Sequence, residues 1–302
     1  VLDEAQRVKN IGLTLKLVTD KIRSVKLLVS GSSSLDLANE INEPLTGRKW
    51  EFMLLPISTE EMVRHHGETD ERRLLSHRLI YGMYPEIINR PGREESLLRQ
   101  LSGSYLYKDI FTFHDVRKPE VLEKMLQSLA LQIGSEVNYH ELAQLTGTDQ
   151  ATIQRYLDLL EKAFVVFRLP AFSRNVRNEL KKSRKVYFYD NGIRNAIINS
   201  FKPADLRTDA GALWENFLVS ERTKWLVNHQ YYTNRYFWRT TQQQEIDYLE
   251  EKDGVLSAFE FKWSANAKTS FPKTFLNAYD KVETFVITPE NYLSFLAPDL
   301  GI

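Results

Sequence analysis

Asp247, Glu260 and Lys262 are the residues whose types and spacing carry the clearest chemistry. They flank Asp253-Gly254, a strong hairpin turn signal with apolar and polar residues alternating on both sides. With those two residues as the loop, Lys252 pairs with Val255 and the register runs back from there. Ile246 then faces Phe261 and Tyr248 faces Phe259, with Trp263 continuing an apolar, core-bound side. On the other side Asp247 falls opposite Glu260, and Glu245 opposite Lys262. Opposed side chains have Cβ atoms about 4.5–5.5 Å apart, and like charges there are destabilising. A divalent cation reverses the sign of the Asp247–Glu260 interaction, because hard cations such as Mg²⁺ take carboxylate oxygens. The plain alternative is a hairpin with one solvated face and a Glu245–Lys262 ion pair. An odd-length loop would shift the register by one residue and remove the pairing.

The elements that must position these residues are legible around them. A helix over Ala212–Val227 turns Leu213, Trp214, Phe217 and Leu218 inward and leaves Glu215 at the edge of that face. A buried, unpaired carboxylate is costly, so Glu215 points to solvent or to a shared cation. Strands are expected over Tyr231–Arg239, Glu245–Leu249 and Val255–Trp263, then a helix around Lys273–Tyr279 and a strand over Glu283–Ile287. Asp … Glu-x-Lys on adjacent strands, in this element order, resembles the PD-(D/E)xK nuclease superfamily. Ile246-Asp247 stands where that family has Pro-Asp. The resemblance implies that Glu215, Asp247 and Glu260 bind Mg²⁺. It also implies that Glu260 and Lys262 are catalytic, with Lys262 positioning the water and offsetting phosphorane charge. Such folds also persist without catalysis, as binding or regulatory modules.

The chain opens on Val1-Leu2-Asp3-Glu4-Ala5-Gln6, an apolar strand end followed by two acids. In a Walker B strand the Asp holds Mg²⁺ through water and the Glu polarises the attacking water. A helix start with acidic first-turn residues explains the same string. A helix with Ile11, Leu15, Val18 and Ile22 on one face follows, then a buried strand Val25–Ser30 ending in Ser30-Gly31-Ser32-Ser33. Leu45-Thr46-Gly47-Arg48, a strand Trp50–Leu54 and Leu55-Pro56-Ile57-Ser58 come next. This order resembles a group of bacterial and archaeal AAA+-superfamily ATPases with a carboxyl-terminal domain of unknown function. The resemblance implies that Asp3, Glu4, Ser30 and Arg48 serve ATP and Mg²⁺, with Glu4 catalytic. No G-x-x-x-x-G-K-[ST] phosphate loop occurs in the sequence. With no initiator Met either, the expectation is a truncated chain that uses ATP only with an upstream segment.

Residues 59–115 read as a helical lid, interrupted by Tyr81-Gly82-Met83-Tyr84-Pro85-Glu86, which is similar to the same group's "GGYPE" connection. His65 and His66 are adjacent on a helix, point apart, and read as solvated. Residues 116–200 read as a winged helix. Leu122, Met125, Leu126, Leu129 and Ile133 form one helical face, and Asn138 with Glu141 makes a capping box for a helix over Tyr139–Leu145. Gly147 turns the chain, Thr148 or Asp149 caps a helix over Ala151–Lys162, and strands Phe164–Leu169 and Lys185–Tyr189 make a hairpin. Its loop, Ser173–Lys185, carries Arg174, Arg177, Lys181, Lys182, Arg184 and Lys185 against the single acid Glu179. Read as a wing, Lys181, Lys182, Arg184 and Lys185 lie along a DNA backbone, with Gln150, Gln154 and Arg155 as groove contacts. Read plainly, the loop is a solvated tip.

Composition bounds these readings. The 302 residues carry 40 Lys and Arg against 40 Asp and Glu, which argues against a polyanion-binding surface over the whole molecule. The absence of cysteine excludes disulfides and thiolate zinc sites and fits a cytoplasmic protein. No apolar run reaches transmembrane length, so no membrane is expected. The fold class expected is multidomain α/β: part of an AAA+ core at 1–58, the lid, the winged helix, and a restriction-endonuclease-like domain at 201–302. The function expected is an ATPase portion associated with DNA. The alternative is a non-catalytic regulatory or interaction module, with a partner protein or a second copy of the chain as its ligand.

Because the phosphate-binding loop motif is absent from these 302 residues, calorimetric titration with Mg-ATP should show no saturable binding. Micromolar binding would overturn the Walker B reading of Asp3 and Glu4.

Overall fold

The turn at Asp253-Gly254 forms as expected. Both residues take positive φ, 52° and 78°, the mirror-image turn whose twist suits a two-residue hairpin. The computed structural model describes residues 1–5, 8–22, 24–31, 48–105, 116, 118–173, 184–264 and 269–301. Described helices are α1 Ile11–Lys21, α2 Thr59–His66, α3 Glu68–Tyr81, α4 Pro85–Ile88, α5 Glu94–Gln100, α6 Pro119–Leu131, α7 Tyr139–Thr146, α8 Gln150–Lys162, α9 Asn191–Ile197, α10 Ala210–Asn228, α11 Lys273–Ala278 and α12 Tyr292–Leu296. The strands are β1 Glu136–Val137, β2 Val166–Pro170, β3 Arg184–Phe188, β4 Asn234–Arg239, β5 Glu245–Lys252, β6 Val255–Phe261 and β7 Val282–Ile287. They form a mixed α/β arrangement with two sheets, ordered β1-β3-β2 and β4-β5-β6-β7.

At the start of the chain, Leu2 bridges Val29 in parallel. Leu2 N–H donates to Leu28 O, and Ser30 N–H to Leu2 O, both at 2.8 Å. The expected strand over Val25–Ser30 is limited to that bridge. The expected strand over Trp50–Leu54 has no ladder among the described residues, and Trp50, Phe52 and Leu54 stand 80 % or more exposed. A strand needs a neighbour to satisfy its N–H and C=O groups, and none of the described residues supplies one there.

Helix α2 starts on a reciprocal capping box between Ser58 and Glu61. His66 is not solvated as expected: its Nε2 lies 2.9 Å from the buried Glu71 carboxylate, which also accepts from Arg78. In the next unit Asn138 caps α7, Gly147 takes the left-handed conformation at its end, and Asp149 rather than Thr148 caps α8. The α6–α7–α8 helices bury Leu122, Met125, Ile153, Tyr156, Leu157 and Leu160 against Val166, Val186 and Phe188 of the first sheet.

A buried polar network ties these units together. The Asn216 side chain, 0 % exposed, accepts from Phe188 N–H (2.7 Å) and donates to Phe188 O (3.0 Å) and to Asn191 Oδ1 (2.7 Å). Asn191 in turn donates to Leu79 O and Leu213 O, and Asn195 to Ile80 O. Asp190 accepts from Met83 N–H and Ile193 N–H. Gly192 and Gly82 make this docking sterically feasible. A Cβ on Gly192 would stand 2.1 Å from Tyr81 O, and one on Gly82, 2.0 Å from Asp190 Oδ1. Gly192→Ala should therefore lower the unfolding free energy by about 3 kcal/mol, whereas Gly211→Ala, whose Cβ meets nothing within 4 Å, should stay near wild type. Urea unfolding of the two variants checks this.

A candidate carboxylate and lysine site

The second sheet is buried on both faces. Tyr248, Phe259, Phe261 and Ile287 pack on Leu213, Trp214, Phe217 and Leu218 of α10. Ile246, Leu249, Leu256 and Ala258 pack with Trp238 and Phe275. Ile246 was expected beside Tyr248, and its transfer to the other cluster has a local cause. The β4–β5 register pairs Tyr236 with Leu249 but Trp238 with Ile246. Two residues of β5, Asp247 and Tyr248, thus stand against Phe237 alone. Such a bulge inserts one unpaired residue, twists the strand and re-aims a side chain. Here the residue at the bulge is Asp247. The β5–β6 ladder keeps the expected register from Lys252↔Val255 to Tyr248↔Phe259. One step beyond it, Phe261 N–H donates to Asp247 Oδ2 at 2.8 Å instead of to a main-chain carbonyl.

Around Asp247 the structure gathers residues from both sheets and from α10. Glu215 Oε1 accepts from Tyr187 Oη at 2.6 Å and from Lys185 Nζ at 2.9 Å. Lys185 Nζ also lies 2.5 Å from Glu245 Oε1 and 5.4 Å from the centre of the Phe237 ring. Lys262 Nζ donates to Glu260 Oε2 at 2.9 Å. The expected Glu245–Lys262 pair does not form: Glu245 turns to Lys185 and, at 3.9 Å, to Arg239.

Lys185 departs most from its expected place. Read as a wing-loop phosphate contact, it is only 1 % exposed and sits in β3, the central strand of the first sheet. Its ammonium points into the carboxylate cluster of the other sheet. Arg184 precedes it at the strand end and is partly exposed. Lys181 and Lys182 lie outside the described residues. Gln150, Gln154 and Arg155 are exposed on α8, with Gln150 within 3.1 Å of His140 Nδ1.

Two of the three carboxylates that the resemblance assigned to Mg²⁺, Glu215 and Glu260, are engaged by lysines. Among the described residues, no three His, Cys, Asp or Glu side chains are grouped so as to hold a metal ion. The cation bridging Glu215 and Glu245 is instead the Lys185 ammonium. The electrostatics agree with the crowding. The Asp247 carboxyl is pushed up to about 8, first by burial and then by Glu215 and Glu260, against the pull of Lys185 and Phe261 N–H. Burial also raises Glu260, against the Lys262 hydrogen bond. Lys185 is held far above the usual lysine range: burial opposes its charge, but Glu215, Glu245 and Asp247 outweigh it.

An aspartate titrates at about 3.9 in an unfolded chain, so between there and about 8 the folded protein holds a proton that the unfolded chain has released. Stability from this group is therefore complete below the lower value and is lost as pH rises through the higher one. Urea unfolding from pH 5 to pH 9 should show that decline, about 4 kcal/mol at about 1.4 kcal/mol for each pH unit between 5 and 8, and Asp247→Asn should flatten it. An unchanged slope in the variant would assign the decline to other groups.

At the other end of the chain, Ser30 Oγ donates to Asp3 Oδ1 and Glu4 adopts a positive φ of 51°. Arg48 pairs with Asp20. Asp3 and Ser30 thus meet across the Leu2–Val29 bridge, while Arg48 is engaged with Asp20.

Residues 1–63 match the family model of an AAA domain. Residues 72–204 and 210–295 match two domains of unknown function, DUF8612 and DUF4143. Uncharacterized proteins of Mycobacterium bovis and Mycobacterium tuberculosis are each 28% identical over 274 residues, covering 89% of this chain and 59% of the relative. One from Haemophilus influenzae is 28% identical over 184 residues, covering 57% of this chain and 46% of its own. This chain thus spans about three fifths or less of these relatives. No solved structure matches significantly, and no described helix is long and apolar enough to cross a membrane. The chain therefore joins an AAA-type, ATPase-like segment to two domains whose family models state no function.

Proposed function

We propose that this chain is the transmitting and DNA-contacting part of an AAA-type ATPase, with a nuclease-like carboxyl-terminal domain serving as scaffold. One observation carries the coupling. Glu221 of α10, 2 % exposed, accepts from Thr59 N–H (2.6 Å) and Thr59 Oγ1 (2.9 Å) at the end of the ATPase-like segment. Lys224, one turn on, donates to Glu221 and to Ile57 O. Breaking a buried charged pair costs several kcal/mol, so this joint moves as a body. A displacement of the Leu55–Ser58 string is passed directly to α10, the helix that carries Glu215 and Asn216. In this reading Asp3, oriented by Ser30, would hold Mg²⁺ beside bound nucleotide phosphates, and Glu4 would polarise the attacking water.

Support for DNA contact comes from the middle unit. Three helices followed by a hairpin, with a short strand added to give the order β1-β3-β2, have the element order of a winged helix. Helix α8 buries Ile153, Tyr156, Leu157 and Leu160 and leaves Gln150, Gln154 and Arg155 outward. A second reading, a protein-interaction module, is favoured by Lys185, which leaves the wing and fills the acidic cluster.

Fluorescence anisotropy with a labelled duplex separates the two. Binding should be sequence-tolerant and weaken with salt. Arg184→Ala should reduce the slope of log K against log salt by about 0.9, one phosphate contact, and Gln150→Ala with Gln154→Ala should weaken binding further. If the parent binds no duplex, or the three variants bind as it does, the interaction-module reading replaces this one.

A further inference from the structure

We propose that Lys185 is a built-in counter-cation that bars divalent metal from the Glu215, Asp247 and Glu260 carboxylates. Four acids meet here, Glu215, Glu245, Asp247 and Glu260, and two lysines answer them. Lys262 pairs with Glu260 at 2.9 Å. Lys185 bridges Glu215 and Glu245 at 2.9 and 2.5 Å. An ammonium at those distances takes up a lone pair on each carboxylate and repels a hard cation approaching the same oxygens, so lysine and metal compete for these acids. Expelling Lys185 would also leave a buried charge with no partner, which is more costly than leaving the pair intact.

The lysine has no easy exit. Its strand is paired on both sides, Lys185 opposite Leu169 in β2 and opposite Glu136 in β1. The next inward residue, Tyr187, donates its hydroxyl to the same Glu215 oxygen, and Phe188 is clamped at both N–H and O by Asn216. Ala171 at the end of β2 bridges Phe237 in the second sheet, and Phe172 N–H donates to Phe237 O at 2.7 Å. The two sheets are thus joined at the residue opposite the Asp247 bulge. The ladder, the clamp and the sheet junction hold the Lys185 backbone in place, so its ammonium could leave only by rotation of a side chain that is 1 % exposed, which would strand a buried charge. The exclusion is therefore constitutive and not a gate.

Titration calorimetry and thermal unfolding with Mn²⁺ and Mg²⁺ test this without reference to DNA or ATP. The wild-type chain should show no saturable metal binding in the millimolar range and no metal-dependent rise in Tm. Lys185→Met should gain Mn²⁺ affinity by about tenfold or more, with a matching rise in Tm by mass action, and adding Glu215→Gln should abolish the gain. Lys185→Arg should behave as wild type. Saturable binding to wild type that Glu215→Gln removes would overturn the proposal, as would a folded Lys185→Met that gains nothing. Should Lys185→Met fail to fold, reductive methylation of the wild type decides. Lys185 should resist labelling equally with and without Mn²⁺; labelling that rises with Mn²⁺ would mean that metal displaces the lysine.

Discussion

The amide of Asn216 is the contact on which the arrangement depends. It reads both main-chain groups of Phe188 and one side-chain oxygen of Asn191, so two hydrogen bonds fasten the end of β3 to α10 and a third ties in the start of α9, in a site closed to water. A buried amide with its donors and acceptor satisfied is strongly favoured over one left partly unpaired. The register it imposes then places Tyr187 and Lys185 against Glu215, one residue before Asn216 in α10. The same network reaches Leu79, Ile80 and Leu213 through Asn191 and Asn195. Helix α3, the strand end of the first sheet and α10 are thereby held by one polar seam.

The carboxylate cluster is a consequence of two geometric facts about the second sheet. The bulge moves Asp247 out of simple alternation, and the Ala171–Phe237 bridge brings the first sheet alongside it. An acidic group gathered in a poorly solvated junction needs positive charge. The chain supplies it internally, from a strand of a different unit. The cation that the hairpin pattern calls for is present as an ammonium on a tether, which explains how the acids can be this close without a metal-holding triad among the described residues.

The ATPase-like segment meets the rest of the chain through a second buried polar joint, Glu221 and Lys224 on Thr59 and Ile57. Both joints lie on α10, five residues apart along the helix. A single rigid helix therefore carries the contacts to the amino-terminal segment and to the carboxylate cluster.

Local chemistry was legible from the sequence. Asp253-Gly254 set the hairpin and its ladder, Asn138 and Asp149 announced helix starts, and the Leu213–Leu218 pattern gave the buried face of α10. The likeness of residues 1–58 to an AAA-type segment rested on strings of adjacent residues, and the family comparison upholds it at that level. What the sequence could not disclose depended on contacts between distant residues. Strand alternation assigns Ile246 and Tyr248 to one face, and only the neighbouring strand, with one residue fewer, makes the bulge that separates them. A run of basic residues reads as a solvated or DNA-facing tip because charge is costly to bury. That rule fails at Lys185 because Glu215 and Glu245, 30 and 60 positions further along the chain, meet it in space. Burial cost and its compensation are both properties of the assembled site, so the partner that reverses the sign of the argument is decided by the tertiary structure alone.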